Sequence, residues 1–150
     1  MKHPERIELA PGYSISRIIT GLWQVADIEK EDGSMDLGPA ASALVDYAES
    51  GFDTFDMADH YGSAELIAGH ARRKMQENDS ANRPSIQARF HTKWCPKPGE
   101  MTPQKVRDGV LLSAERLDTE QIDLMQFHWW NYEHPQYLDA MEGLQALKEE

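Results

Sequence analysis

GFDTFDMADHYGSAE, residues 51–65, reads as a strand that hands over to a helix through a charged and aromatic turn. Phe52, Thr54 and Phe55 are strand formers behind a glycine, and Asp56 ends their run. Tyr61 follows five residues later. Ser63 stands where a helix N-cap belongs, and Glu65 is an acid in the first turn, where the helix dipole favours it. The stretch leaves a carboxylate and a phenol on the turn between strand and helix. On a parallel α/β scaffold that edge carries the chemistry.

Working outward, Gly38–Ser50 has apolar residues at Ala40, Ala43, Leu44, Tyr47 and Ala48, the stripe of an amphipathic helix. Gly51 occupies the position past a helix end where glycine is favoured. Upstream, Arg6–Leu9 and Tyr13–Ser16 flank Ala10-Pro11-Gly12, a tight-turn signal, so an N-terminal β-hairpin is expected. The run from Ser16, SRIITGLW, is a strand candidate ending near Gly21-Leu22-Trp23, and a polar loop spans Asp27–Asp36. Downstream, residues 63–77 form a second helix with Leu66, Ile67, His70 and Ala71 on one side, followed by a polar loop at Asn78–Pro84. Ser85–Thr92 is the next strand, ending at Lys93-Trp94. Thr102-Pro103 opens a third helix with Val106, Val110, Leu111 and Ala114 inward. Gln121–His128 is a strand, and after the aromatic loop WWNYEHP a fourth helix runs over Gln136–Glu150 with Leu138, Met141, Leu144, Ala146 and Leu147.

The order is strand then helix, four times. Trp23, Asp56, Lys93 and His128 mark the four strand ends, at steps of 33, 37 and 35 residues. Such regularity argues for repeated βα units. The expected fold is α/β: a partial (β/α)8 TIM barrel, about four βα units after the hairpin, all within one domain over residues 1–150. A full barrel takes roughly 250 residues. The alternative is a small open sheet of flavodoxin type, which normally sets a glycine-rich or acidic cluster at its first turn. Trp23-Gln24-Val25 occupies that turn here.

Composition narrows the function. With 40% hydrophobic and 27% charged residues the chain has the make-up of a soluble globular protein. No run approaches the roughly 18 apolar residues of a membrane helix, and MKHPERIELA is too polar for a signal peptide. The single cysteine, Cys95, suits a reducing cytosol, so a cytoplasmic location is expected. A net charge of −11 disfavours nucleic acid and reads as a solubilising surface.

A parallel sheet brings the C-terminal ends of its strands to one rim, so Asp56, Tyr61, Lys93 and His128 are expected to share a pocket. Singly, each has a plainer reading: a helix-approach cap, a surface charge, a satisfied buried histidine. Together, each at a strand exit in a regular repeat, they argue for one site. At this point DTFDMADHYGSAE, the strand ending HTKW and the strand ending DLMQFHWW resemble the aldo-keto reductases, barrel enzymes that use a nicotinamide cofactor. The resemblance runs from about residue 7 to the last residue. It implies that the family's catalytic Asp, Tyr, Lys and His fall on Asp56, Tyr61, Lys93 and His128. It also implies a cofactor-binding strand exit at Gly21, Leu22 and Trp23, with Asp56 beside it and Leu22 where threonine is common. NADP(H) is the implied cofactor and a small-molecule carbonyl the implied substrate.

The chemistry supports those roles. Reduction of a carbonyl by hydride needs a proton donor at the developing alkoxide, and a free tyrosine, with pKa near 10, is a poor donor at neutral pH. A cation within hydrogen-bond range stabilises the phenolate, the role expected of Lys93; Asp56 would hold that ammonium in place. His128 would hydrogen-bond the carbonyl oxygen and orient it. Trp23, Trp94, Trp129 and Trp130 lie at or just past strand ends, so Trp23, Trp94 and Trp129 are expected to line the substrate site with His128.

Other chemistries fit worse. Asp59, His60, His91 and His134 offer metal donors, but a barrel metallohydrolase wants paired ligands such as His-x-His at its first strand, so no metal is expected. Ser63 lacks a G-x-S-x-G turn, no G-x-G-x-x-G is present, and Cys95 reads as a buried or inert thiol despite Lys93 nearby. In the family, the groups that hold the cofactor's phosphates come mostly from strands five to eight. The chain therefore reads as the amino-terminal half of a longer reductase. Open strand edges in a half barrel lead to an expectation of self-association or pairing with a second half. The alternative function is a non-catalytic half barrel that cannot hold the cofactor and acts at most as an interaction module.

Overall fold

The centre of the molecule is a four-stranded parallel sheet with order β3 (Thr20–Gly21), β4 (Thr54–Asp56), β5 (Arg89–Trp94), β6 (Leu124–Phe127). The structure is a computed structural model and describes residues 3–26, 36–79 and 86–150. Most of the two polar loops expected at Asp27–Asp36 and Asn78–Pro84 lies outside the described residues. The N-terminal hairpin is present, with β1 (Arg6–Ala10) antiparallel to β2 (Tyr13–Ser16) and Gly12 at φ 75° in the turn. Four helices complete the βα units: α1 (Leu37–Glu49), α2 (Ala64–Asp79), α3 (Pro103–Arg116) and α4 (Tyr137–Glu149). The chain is thus a partial (β/α)8 barrel, as the spacing of its strand ends implied.

Local chemistry sets the helix ends. Asp36 caps α1 by accepting from the Gly38 amide, and Thr102 caps α3 by accepting from the Lys105 amide. At the other end of α1, Gly51 at φ 91° lets its amide reach the Ala48 carbonyl while the Phe52 amide reaches that of Tyr47. This is a Schellman close, and the Tyr47 and Phe52 rings meet edge to face at 6.4 Å across it. Before α2, the Ser63 carbonyl accepts from Ile67, as an N-cap carbonyl does.

Alternation along the strands sorts the side chains into two layers. Phe55, Met57, Phe90, Thr92 and Trp94 are buried on the helix side, with Phe55 and Phe90 stacked at 5.3 Å among Leu22, Leu44, Ile67, Ala71 and Leu117. A second cluster joins Trp94, Met101, Val106, Trp129 and Ala140. The other face carries Thr54, Asp56, Arg89, His91, Lys93 and Gln126. Its lower end is closed by the hairpin: Ser16 donates its amide to Thr54 Oγ1, Arg6 bonds Asp53 at 2.5 Å, and Arg89 lies over the Tyr13 ring.

Several expected inward residues are corrected. Leu66, Leu111, Leu138 and Met141 are exposed by 42% or more, because they lie off the stripes that pack. Those stripes are Ala64, Ile67, Ala68, Ala71 and Met75 on α2, Val106, Ser113 and Ala114 on α3, and Ala140 with half-buried Leu144 and Leu147 on α4. Strand boundaries also move. Of the first run, Ser16 ends β2 and Thr20–Gly21 forms β3, and β5 begins at Arg89 and continues through Trp94.

Candidate active site

Register explains which residues meet at the rim. Gly21 pairs with Asp56, Asp56 with His91, and His91 with Leu124, so these four positions share one level of the sheet. Lys93 and Gln126 pair one pleat higher. The ladder runs past the formal strands: Leu22 donates to Asp56, Met57 to His91, Asp59 to Lys93 and His128 to Trp94, all near 2.9 Å. Those bonds fix the backbone under every residue of the rim.

The side chains then close a polar cluster. Lys93 Nζ donates to Asp56 Oδ2 at 2.5 Å and to the Met57 carbonyl at 2.9 Å. Gln126 Nε2 donates to the other Asp56 oxygen at 3.2 Å, so both carboxylate oxygens are engaged. With the Lys93 side chain only 17% exposed and that of Asp56 32%, the pair is partly shielded from solvent. Tyr61 is wedged above it. Its ring meets Trp23 edge to face at 4.6 Å and His60 at 4.8 Å, and the Lys93 ammonium sits 5.3 Å from its centroid. Lys93 therefore touches Tyr61 by a cation–π contact, which corrects the expected hydrogen bond to the phenol. Among the described residues none hydrogen-bonds the Tyr61 hydroxyl.

His128 stands one pleat above Lys93 on the neighbouring strand, and its ring stacks on Trp130 at 4.1 Å. The structure thus gathers Asp56, Tyr61 and Lys93 and sets His128 at the adjacent strand exit. Of the expected cofactor residues, Gly21 and Trp23 are exposed, whereas the Leu22 side chain is fully buried in the core, so only its backbone faces the rim. Trp94 and Trp129, expected to line the substrate site, are each 5% exposed and belong to the helix-side cluster. Trp94 packs so tightly on α3 that a Cβ at Gly109 would come within 2.3 Å of its indole nitrogen. Trp130, stacked on His128, reaches the rim with Trp23.

Two features went unread in the sequence. Gln126 lies two residues before His128 and so shares its face, a period-two signal that strand parity carries. Glu65 is 2% exposed rather than a surface dipole partner; it accepts from Thr92 Oγ1 at 2.6 Å and Arg116 at 3.2 Å. Arg116 also donates to the Asp59 carbonyl, tying the Tyr61 loop to α3. Nearby, burial first and then the Asp59 carboxylate push the Cys95 thiol up to about 11, which disfavours a thiolate nucleophile.

Comparison with known proteins agrees with this architecture. The family model described as the Aldo/keto reductase family matches residues 17–150. A search of curated proteins gave no match. Among solved structures, a Bombyx mori aldo-keto reductase in complex with NADP superposes with a TM-score of 0.71 at 20% identity, covering 99% of this chain and 48% of that one. An aldo/keto reductase from Brucella melitensis gives 0.65 at 19% identity, covering 99% and 50%. A second Bombyx mori aldo-keto reductase gives 0.70 at 19%, covering 98% and 45%. At such identities these structures speak for the fold alone. The chain spans about half the length of each.

Proposed function

We propose, for a chain that belongs to the aldo/keto reductase family, an oxidoreductase site that moves a hydride between NADP(H) and a carbonyl or alcohol substrate, with Tyr61 as the proton donor. The observation that carries this reading is the half-buried Asp56–Lys93 pair directly beneath the Tyr61 ring. The residues present fit the nicotinamide end of such a cofactor. Space over Gly21 is open, since a Cβ there would meet nothing within 4 Å, and the exposed Trp23 ring stands beside Tyr61. When bound, the cofactor supplies or accepts the hydride.

The chain's own groups do the rest. Asp56 and the Met57 carbonyl fix two N–H bonds of Lys93, which leaves its third beside Tyr61. A cation in that position stabilises the phenolate left when Tyr61 gives its proton to the alkoxide. Gln126 engages the second Asp56 oxygen and so favours the carboxylate orientation that faces Lys93. His128, one pleat up, would hydrogen-bond the substrate oxygen, and Trp23 and Trp130 would offer apolar walls to an aromatic or hydrophobic substrate. The bound carbonyl is the expected small-molecule partner. No described helix is long and apolar enough to cross a membrane.

Fluorescence titration with NADPH tests the reading. Quenching at micromolar cofactor, with carbonyl-dependent NADPH oxidation, is the expected result. No response at millimolar cofactor would replace it with the second reading, a non-catalytic half barrel.

A further inference from the structure

We propose that Asp59, His60 and Cys95 form a divalent transition-metal site, suited to zinc, on the rim beside Tyr61. One carboxylate oxygen, one imidazole nitrogen and the thiol sulfur lie within 4.8 Å of one another. The site stands independently of the reductase reading, because it uses none of Asp56, Tyr61, Lys93 or His128.

The ligands are preorganised by backbone. Asp59 donates its amide to the Lys93 carbonyl at 2.9 Å and accepts Arg116 on its own carbonyl at 3.1 Å. The Cys95 amide donates to Asp59 Oδ2 at 2.9 Å, so two of the three ligands, 36 residues apart, are locked to each other. Asp59 Oδ1 faces His60 Nδ1 at 2.9 Å. A cation placed there takes over the role of the proton those two atoms share, while Oδ2 keeps its amide bond. The backbone donor that would hold the ligating carboxylate in orientation is therefore already in place.

The donor set selects the ion. A thiol, an imidazole and a carboxylate suit zinc and its neighbours, whereas magnesium and calcium take oxygen ligands. The Asp59 and His60 side chains are 20% and 41% exposed and Cys95 is half-buried, so the ion can arrive from solvent and keep a water as its fourth ligand. On binding, the Cys95 S–H bond breaks, a sulfur–metal bond forms, and the proton leaves to solvent; no oxidant or reductant is needed. The six histidines and 26 acids scattered through the sequence gave no spacing signal for this trio. It exists only because the ladder carries Asp59 alongside Lys93, next door to Cys95.

The test is equilibrium dialysis of the full chain against zinc, with cobalt(II) as the spectroscopic probe. The expected result is one zinc per chain at micromolar free metal, and a near-ultraviolet cobalt–thiolate charge-transfer band. Asp59→Asn keeps an oxygen for the Cys95 amide and leaves the fold in place; it, His60→Ala and Cys95→Ser should each weaken binding about tenfold or more. Cys95→Ser should also abolish the charge-transfer band, and His134→Ala, which alters an exposed histidine outside the trio, should bind like the parent. The proposal is overturned by absence of binding below millimolar zinc, by parental affinity in any of the three ligand variants, by loss of binding in His134→Ala, or by cobalt binding without the thiolate band.

Discussion

The two ends of one sheet face treat polar groups in opposite ways. At the lower end, Asp123 collects Arg72 at 3.0 Å, Arg89 at 3.1 Å and the Phe90 amide at 3.1 Å, and the Tyr13 hydroxyl reaches up from the hairpin to share a 2.9 Å hydrogen bond with buried His91, at the level of Asp56. The hairpin seals that end. At the rim, Asp56, Lys93 and Gln126 satisfy one another, whereas among the described residues the Tyr61 and His128 rings are positioned by aromatic contacts. A polar group whose bonds are all made inside the protein stabilises the fold. One positioned by ring packing, with its polar tip uncommitted, is available to a ligand. In barrels of this kind the lower face carries stability and the upper face carries chemistry.

Four substitutions break or sharpen that contrast, in descending order of effect. Tyr61→Phe removes a hydroxyl that no described residue hydrogen-bonds: turnover should fall by about 10²-fold or more, while the urea midpoint stays put. Asp123→Ala strips the shared acceptor from two partly buried guanidinium groups and an amide, and should cost about 3 kcal/mol in denaturant unfolding. Tyr13→Phe leaves His91 Nε2 without its partner and should cost about 1–2 kcal/mol. Arg17→Ala breaks an ion pair whose side chains are 61% and 79% exposed, and should change stability by less than about 0.5 kcal/mol.

Acid sensitivity extends the contrast. Burial lowers the His91 pKa, with Asp123 and Asp56 opposing it. Near its ordinary value of about 6.5 the unfolded chain then binds more protons at this site than the folded one, so stability falls as pH drops through that value. Unfolding free energy measured from pH 8 down to 5 should show the loss, and His91→Gln should reduce it.

Much of this architecture was legible in residue order. The Pro11-Gly12 turn, the Thr102-Pro103 helix start and the Gly51 helix end each carry their own local chemistry, and each forms as read. The even spacing of strand ends gave the barrel topology. What order alone hid was parity and stagger. Trp94 and Trp129 follow strand exits, yet each lies an odd number of residues from the inward Lys93 and His128, which turns it toward the helices. Leu22 sits at a pocket-like exit but packs into the core for the same reason. Equal marks at Asp56, Lys93 and His128 concealed a step of one pleat between neighbours, which is why Asp56 aligns with His91 and why Gln126 enters the cluster.

The most direct test of the account pairs Tyr61→Phe with Tyr13→Phe and measures NADPH-dependent turnover and unfolding free energy for both. A crossed result is expected: the rim variant loses turnover at unchanged stability, and the lower-end variant loses stability at unchanged turnover per folded molecule. Retained turnover in Tyr61→Phe, or no turnover in the parent chain with any carbonyl tried, would contradict it.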